Sequence, residues 1–293
     1  MPFMLWNNND KSVSPSCYVC AMNLYDQIFE ASAHLEAFGF DDAEIGIVLG
    51  TGLGQLIEEV KDHHVIPYEA IPHFSLSTVE SHAGKLIRGV LFGRRVIVMQ
   101  GRFHYYEGHS MQQVAFPIRV MQRLGVRHVF LSGAAGNLNR NWSKGELMLL
   151  SDHINLQPSN PLLGLNDTRL GPRFLDMSDV YDKTIRERFN EAASVQGIQL
   201  RNGVYVSVPG PMLESAAEYR FLHKIGADAV GMSTVPEVMV ARHGGMSVSA
   251  IVVLTDDCDP DDLKPIQLSE IVQLAAEAEV RLIALLSSVM PNL

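Results

Sequence analysis

Apolar residues at Leu24, Ile28, Ala31, Leu35 and Phe38 share one helical face and predict a helix over 23–38. Ile45, Ile47, Val48 and Leu49 then form a short apolar run of β type. Similar runs recur at 96–99, 126–131, 147–150, 204–208, 227–230 and 247–254, each the length of a buried strand. Between them, helical spacing returns at 114–124 and 182–196. Ser215-x-x-Glu218 reads as a capping box opening a helix to Ile225. Thr234-x-x-Glu237, with Pro236 in the first turn, reads as a second. The closing stretch, 269–290, places Ile271, Ala275, Ala278, Leu282 and Leu286 inward. Strands alternate with helices, with neither repeat nor linker. The expectation is an α/β fold over 22–293: a single domain with a mixed central β-sheet flanked by helices. Residues 1–21 lack a periodic apolar face and are expected to be a flexible or loosely docked tail.

Composition narrows the function classes. The chain has 293 residues, 47% hydrophobic and 19% charged, as expected of a globular protein with a large core. Its formal net charge of −10 disfavours nucleic acid as a partner, which calls for a basic face. No apolar run reaches the roughly 18 residues needed to cross a bilayer, so no membrane partner is expected. The cysteines, Cys17, Cys20 and Cys258, do not form a disulfide framework, and Cys17-x-x-Cys20 lacks a second ligand pair. A cytoplasmic setting and no metal are expected.

The candidate chemistry lies at strand ends, where α/β sheets bind ligands. After the run at 96–99, Arg102, His104, Tyr106, Glu107 and His109 crowd into one loop between Gly101 and Gly108. After Leu49, Gly50-Thr51-Gly52-Leu53-Gly54 leads toward an expected helix, an arrangement that binds anions through free amides. Gln55 stands where a dinucleotide fingerprint needs Gly, and no Gly-Lys-Ser/Thr follows, so no nucleotide cofactor is implied. Ser132 to Asn137 reads as a second small-residue turn. The long connections at 67–84 and 152–174 are expected to be irregular. Glu214 and Ser233 each precede a helix start; taken singly, Ser215, Ser233 and Thr234 are helix caps.

Taken together, the segments GTGLGQL, ESHAGKL, QGRFHYYEGH, SGAAGNLN, VPGPMLESAAE, GADAVGMSTVPEVMVARHGG and LTDD resemble, in order and spacing, the trimeric class of purine nucleoside phosphorylases. The resemblance runs from about Asp42 to Thr255. It implies phosphorolysis of purine nucleosides to free base and ribose 1-phosphate by a homotrimer. No cofactor is implied, inorganic phosphate being a co-substrate. It also implies a phosphate site of Thr51, His82, Arg102, His104, the Ala134 amide and Ser233. Tyr106 and Met232 would lie against the ribose, and Leu213, Glu214, Gly231 and Asp256 around the base. His104, Glu214 and Asp256 would be the catalytic residues, and Glu107 would orient His82 or brace its loop.

Three departures stand out. Gly133 replaces the family's usual Asn. Asp256 stands where enzymes specific for 6-oxopurines carry Asn, and methylthioadenosine phosphorylases also have Asp there. A His that contacts the ribose 5′-hydroxyl is missing near Ser269. In addition, Leu170 takes the place of an aromatic that covers the neighbouring subunit's ribose. Glu214 points to inosine and guanosine; Asp256 permits a 6-amino group, and Asp257, if it shares the pocket, would raise the pair's apparent pKa. The alternatives are a methylthioadenosine phosphorylase, an adenosine-accepting phosphorylase and a non-catalytic nucleoside-binding protein.

Overall fold

The computed structural model describes residues 22–76 and 83–293; the expected tail at 1–21 and positions Ser77, Thr78 and His82 lie outside the described residues. In chain order the elements begin with α1 (Leu24–Glu36), β1 (Ile45–Leu49), β2 (Lys61–Pro67), β3 (Lys85–Leu91), β4 (Arg94–Gln100) and α2 (Met111–Arg123). There follow β5 (His128–Asn137), β6 (Leu147–Asn155), α3 (Lys183–Gln196), β7 (Leu200–Ser207) and α4 (Ala216–Lys224). The chain closes with β8 (Ala229–Gly231), α5 (Val235–His243), β9 (Ser247–Asp257) and α6 (Leu268–Val289).

Among the described residues, nine strands join in one sheet, ordered β2-β3-β4-β1-β5-β8-β7-β6-β9. β1 lies parallel to β4 on one side and β5 on the other, so all five of its residues are buried. That is why its sequence is an apolar run rather than an alternation. β5 also pairs in parallel with β9 along its whole length, and β9 pairs with β6. Since β6–β7, β7–β8 and β8–β5 are paired as well, that half of the sheet curls into a closed ring. Apolar clusters fill both faces: residues of α1, α2 and α5 pack on one side, residues of α3 and α6 on the other. The α/β expectation holds, as a mixed sheet flanked by helices.

Several local expectations change. β2 and β3 form an antiparallel edge that the apolar pattern did not announce; β2 buries only Ile66. Ser132 to Asn137 is the second half of β5 and not a turn, because each of its residues pairs with β9. Its small residues serve close packing instead: a Cβ on Gly136 would lie 2.5 Å from Cys258 Sγ. The glycine turn after β1 leads into a five-residue 3-10 segment (Gln55–Glu59) in place of the expected α-helix. β6 extends to Asn155, into a stretch expected to be loop. The Ser215–Glu218 capping box is present at α4, with both reciprocal bonds made. At α5 it is absent: Thr234 has φ 72° and caps nothing, and Glu237 turns elsewhere.

Candidate active site

A cleft of about 180 Å³ opens beyond the C-terminal ends of β1, β4, β5, β8 and β9. Thr51, Arg102, His104, Tyr106, Ala134, Leu213, Glu214, Gly231, Met232, Ser233 and Asp256 all line it. Of the residues singled out from sequence as a binding set, His82 alone falls outside the described residues.

Arg102 follows Gly101, whose φ of 95° turns the chain out of β4 and into the core. The arginine is 1% exposed. Its Nη1 donates to Glu237 Oε1 at 3.2 Å and lies 3.4 Å from Thr234 Oγ1. Its Nη2 donates to the carbonyls of Val48, at 3.3 Å, and Ser132. Glu237, 2% exposed, thus balances a buried guanidinium rather than capping its own helix. Gly133 sits beside this fork: a Cβ there would lie 3.9 Å from Ser233 Oγ and 4.0 Å from Arg102 Nη2. Gly133 thus brings the backbone within van der Waals reach of a buried cation and a hydroxyl that both line the cleft, a setting that suits a compact anion. Ser233 is held by β7, its amide toward Tyr205 Oη at 3.4 Å and its carbonyl accepting from Ser207 Oγ at 3.1 Å. The left-handed backbone of buried, β-branched Thr234 next door is strain stored at this wall of the cleft.

In the loop after β4, Glu107 Oε1 accepts from the His104 amide at 2.7 Å and meets His104 Nδ1 at 3.0 Å. Glu107 is therefore the brace of the loop; its expected alternative partner, His82, lies outside the described residues. The His104 and Tyr106 rings stack at 4.7 Å. Burial pushes the His104 pKa below that of an ordinary histidine, and Glu107 opposes the shift. Burial raises the Tyr106 phenol to about 12. The ring of His104 is thus neutral near pH 7, with Nδ1–H directed at Glu107.

The turn after β1 behaves unlike the anion nest expected of it. Gln55 and Leu56 amides donate to Glu279 Oε2 and Oε1, each at 3.0 Å, so an acid of α6 occupies the start of the 3-10 segment. Thr51, ahead of those amides, remains in the cleft wall.

Glu214 and Asp256 line the cleft together with Tyr219. Asp256 Oδ1 accepts from Thr255 Oγ1 at 2.9 Å, and Oδ2 from Cys258 Sγ at 3.3 Å. Tyr219, buried in the same wall, lies close to Glu214 and Cys258. Burial raises the pKa of both acids; the donated bonds only partly offset it. Asp257 raises the Asp256 pKa as expected, as a lesser cause than burial, and the two acids share the lining of an adjoining cavity of about 560 Å³. Asp257 also accepts from Asn137 Nδ2 at 3.1 Å. Leu268 and Ile271 of α6 complete the cleft with apolar surface. Leu170, which stands in place of the family's ribose-covering aromatic, is 8% exposed and packed in the chain's own core. Sequence reading passed over Tyr205, Tyr219, Glu237, Cys258 and Glu279; only Glu237 had a signal, its place in the GMSTVPE segment, and that was indistinguishable from a cap.

A family profile described as the phosphorylase superfamily matches residues 44–291. A curated relative named purine nucleoside phosphorylase 1, from Geobacillus stearothermophilus, is 45% identical over 250 residues, covering 85% of this chain and 91% of the relative. The crystal structure of Schistosoma mansoni purine nucleoside phosphorylase in complex with adenosine superposes with a TM-score of 0.86 at 39% identity, covering 92% of this chain and 97% of that one. A Schistosoma purine nucleoside phosphorylase in complex with guanosine gives 0.85 at 38% identity with the same coverage.

Proposed function

The chain belongs to the phosphorylase superfamily, among its purine nucleoside phosphorylases, and from that premise we propose that it cleaves inosine and guanosine, with their 2′-deoxy forms, using phosphate. A phosphate oxygen forms the bond to C1′ as the C1′–N9 bond breaks. The electron pair leaves with the purine, and the products are free base and (deoxy)ribose 1-phosphate. No cofactor takes part.

One observation carries this reading: a buried cation and a serine hydroxyl lie beside Gly133 in the wall of the same cleft that Glu214 and Asp256 line. Arg102, Ser233, Thr51 and the Ala134 amide would hold the phosphate. His104, with Nδ1 directed to Glu107, would meet a phosphate hydroxyl through Nε2. The reaction needs no protein nucleophile; it needs the phosphate fixed under the sugar and donors where charge develops on the base. Tyr106 and Met232 would border the ribose. Ionised Glu214 would accept from N1–H and a 2-amino group. Leu213 and Gly231 would flank the base. Asp256, when protonated, would give its proton to N7 as the purine departs.

The Schistosoma relatives were crystallised with adenosine and with guanosine. For this chain the pairing of Glu214 with Asp256 favours 6-oxopurines first and adenosine as a lesser substrate. Leu268 and Ile271 at the mouth keep a 5′-methylthio sugar as a second reading. The non-catalytic reading is disfavoured because Arg102, Glu214 and Ser233 are all retained and line the cleft. Leu163, Leu165 and Phe174 are exposed apolar residues on the loop after β6, and they support assembly as a homotrimer. Among the described residues no helix is long and apolar enough to cross a membrane, and we place the protein in the cytoplasm.

The test is base release from inosine, guanosine, adenosine and methylthioadenosine, with and without phosphate. Hypoxanthine and guanine should appear fastest, and only with phosphate. Phosphate-independent release, or none, would overturn the activity; fastest release from methylthioadenosine would select the second reading.

A further inference from the structure

Glu279 is a buried acid that the proposed chemistry does not use. It lies in the middle of α6, 1% exposed, on the face that otherwise presents Ala275, Ala278 and Leu282 to the core. A carboxylate there costs desolvation, which raises its pKa, unless donors compensate. The compensation comes from the backbone of one turn: the amides of Gln55 and Leu56, one to each oxygen at 3.0 Å, with the Gly54 backbone adding to it. The Gln55 side chain adds a bond to the Ala276 carbonyl at 3.3 Å. The turn before these amides rests directly on α6, since a Cβ on Gly52 would lie 2.6 Å from Ala275 Cβ and 2.9 Å from the Val272 carbonyl. That same turn carries Thr51 into the cleft, and α6 itself lines the cleft through Leu268 and Ile271.

We propose that Glu279 is a positioning residue for phosphate: by clamping the Gln55 and Leu56 amides to α6, it fixes the turn that presents Thr51. The inference rests on the phosphorolysis reading above. Removing the charge frees the turn from α6 while leaving the base-side carboxyls untouched, so the effect falls on one co-substrate.

The experiment measures initial rates with Glu279→Gln, varying phosphate and inosine separately. A glutamine of the same size can accept from one amide but sets its own N–H against the other. The expected result is a KM for phosphate raised about tenfold, the scale of one charge-assisted hydrogen bond, with the KM for inosine within about twofold of the parent. Glu279→Asp, which keeps the charge but withdraws it by a methylene, should show the same phosphate-selective loss and serves if the glutamine variant fails to fold. Unchanged phosphate KM in a folded variant, or equal rises in both KM values, would overturn the proposal. A parent enzyme that releases no base with phosphate would instead refute the phosphorolysis reading.

Discussion

Glu237 Oε1 meets Arg102 Nη1 at 3.2 Å in a place where neither side chain is more than 3% exposed. The pair joins the loop after β4 to the first turn of α5, the two segments that bring Arg102 and Ser233 to the cleft. Breaking one partner of such a pair leaves a buried charge uncompensated.

Glu237→Ala is therefore expected to lower unfolding free energy by about 3–5 kcal/mol, as read from chemical denaturation. In the folded fraction, kcat/KM for phosphate should fall about a hundredfold, because the Arg102 fork loses its orientation. Stability within 1 kcal/mol of the parent would show that the backbone carbonyls of Val48 and Ser132 suffice to hold the arginine.

Under the proposed function, Asp256 sets the response to 6-amino substrates. Burial keeps its carboxyl protonated to higher pH than an ordinary aspartate, and that proton is lost as pH rises through the raised pKa. Adenosine cleavage should accordingly decline on the alkaline side of its profile. Asp256→Asn should abolish that limb and reduce the adenosine-to-inosine ratio by about a hundredfold, a general-acid contribution of ordinary size. An unchanged ratio would remove Asp256 from base selection.

His128 supplies an acid-sensitive point far from the chemistry. Its ring nitrogens meet Ser247 Oγ at 2.8 Å and Ser249 Oγ at 2.9 Å, where β5 runs beside β9. Burial lowers its pKa to about 4, with Asp182 opposing. Unfolded, the ring takes up a proton near pH 6.5. The folded state is thus favoured fully above that value and loses up to ~3 kcal/mol as pH falls toward 4. Melting curves of the parent and His128→Gln across this range should converge as the pH is lowered; parallel curves would exclude His128 as the source.

Much of the molecule was legible along the chain for a simple physical reason. β1 and residues 96–99 of β4 are buried throughout, so those stretches carry no polar side chain, and the polar residues just after them had to lie at strand ends. What the pattern missed was exposed or crowded. β2 is exposed at every position but Ile66 because it lies at the sheet edge, so its first four residues are polar. The second half of β5 looked like a turn because Gly50 and Cys258 press on it: a Cβ on Gly50 would lie 2.6 Å from Gly133 Cα.

The sequence by itself determined the alternation of strands and helices, the strand-end loops and the identity of the side chains gathered there, because burial and backbone conformation select residue types locally. Tertiary structure alone decided which of those side chains answer one another. Glu237 reads as a cap until α5 is packed against the loop after β4, and Glu279 reads as an unremarkable helix acid until the turn after β1 is laid on α6. A carboxylate carries no mark in the chain of whether it will face water, a guanidinium or two backbone amides. That choice is made by residues 135 and 224 positions away.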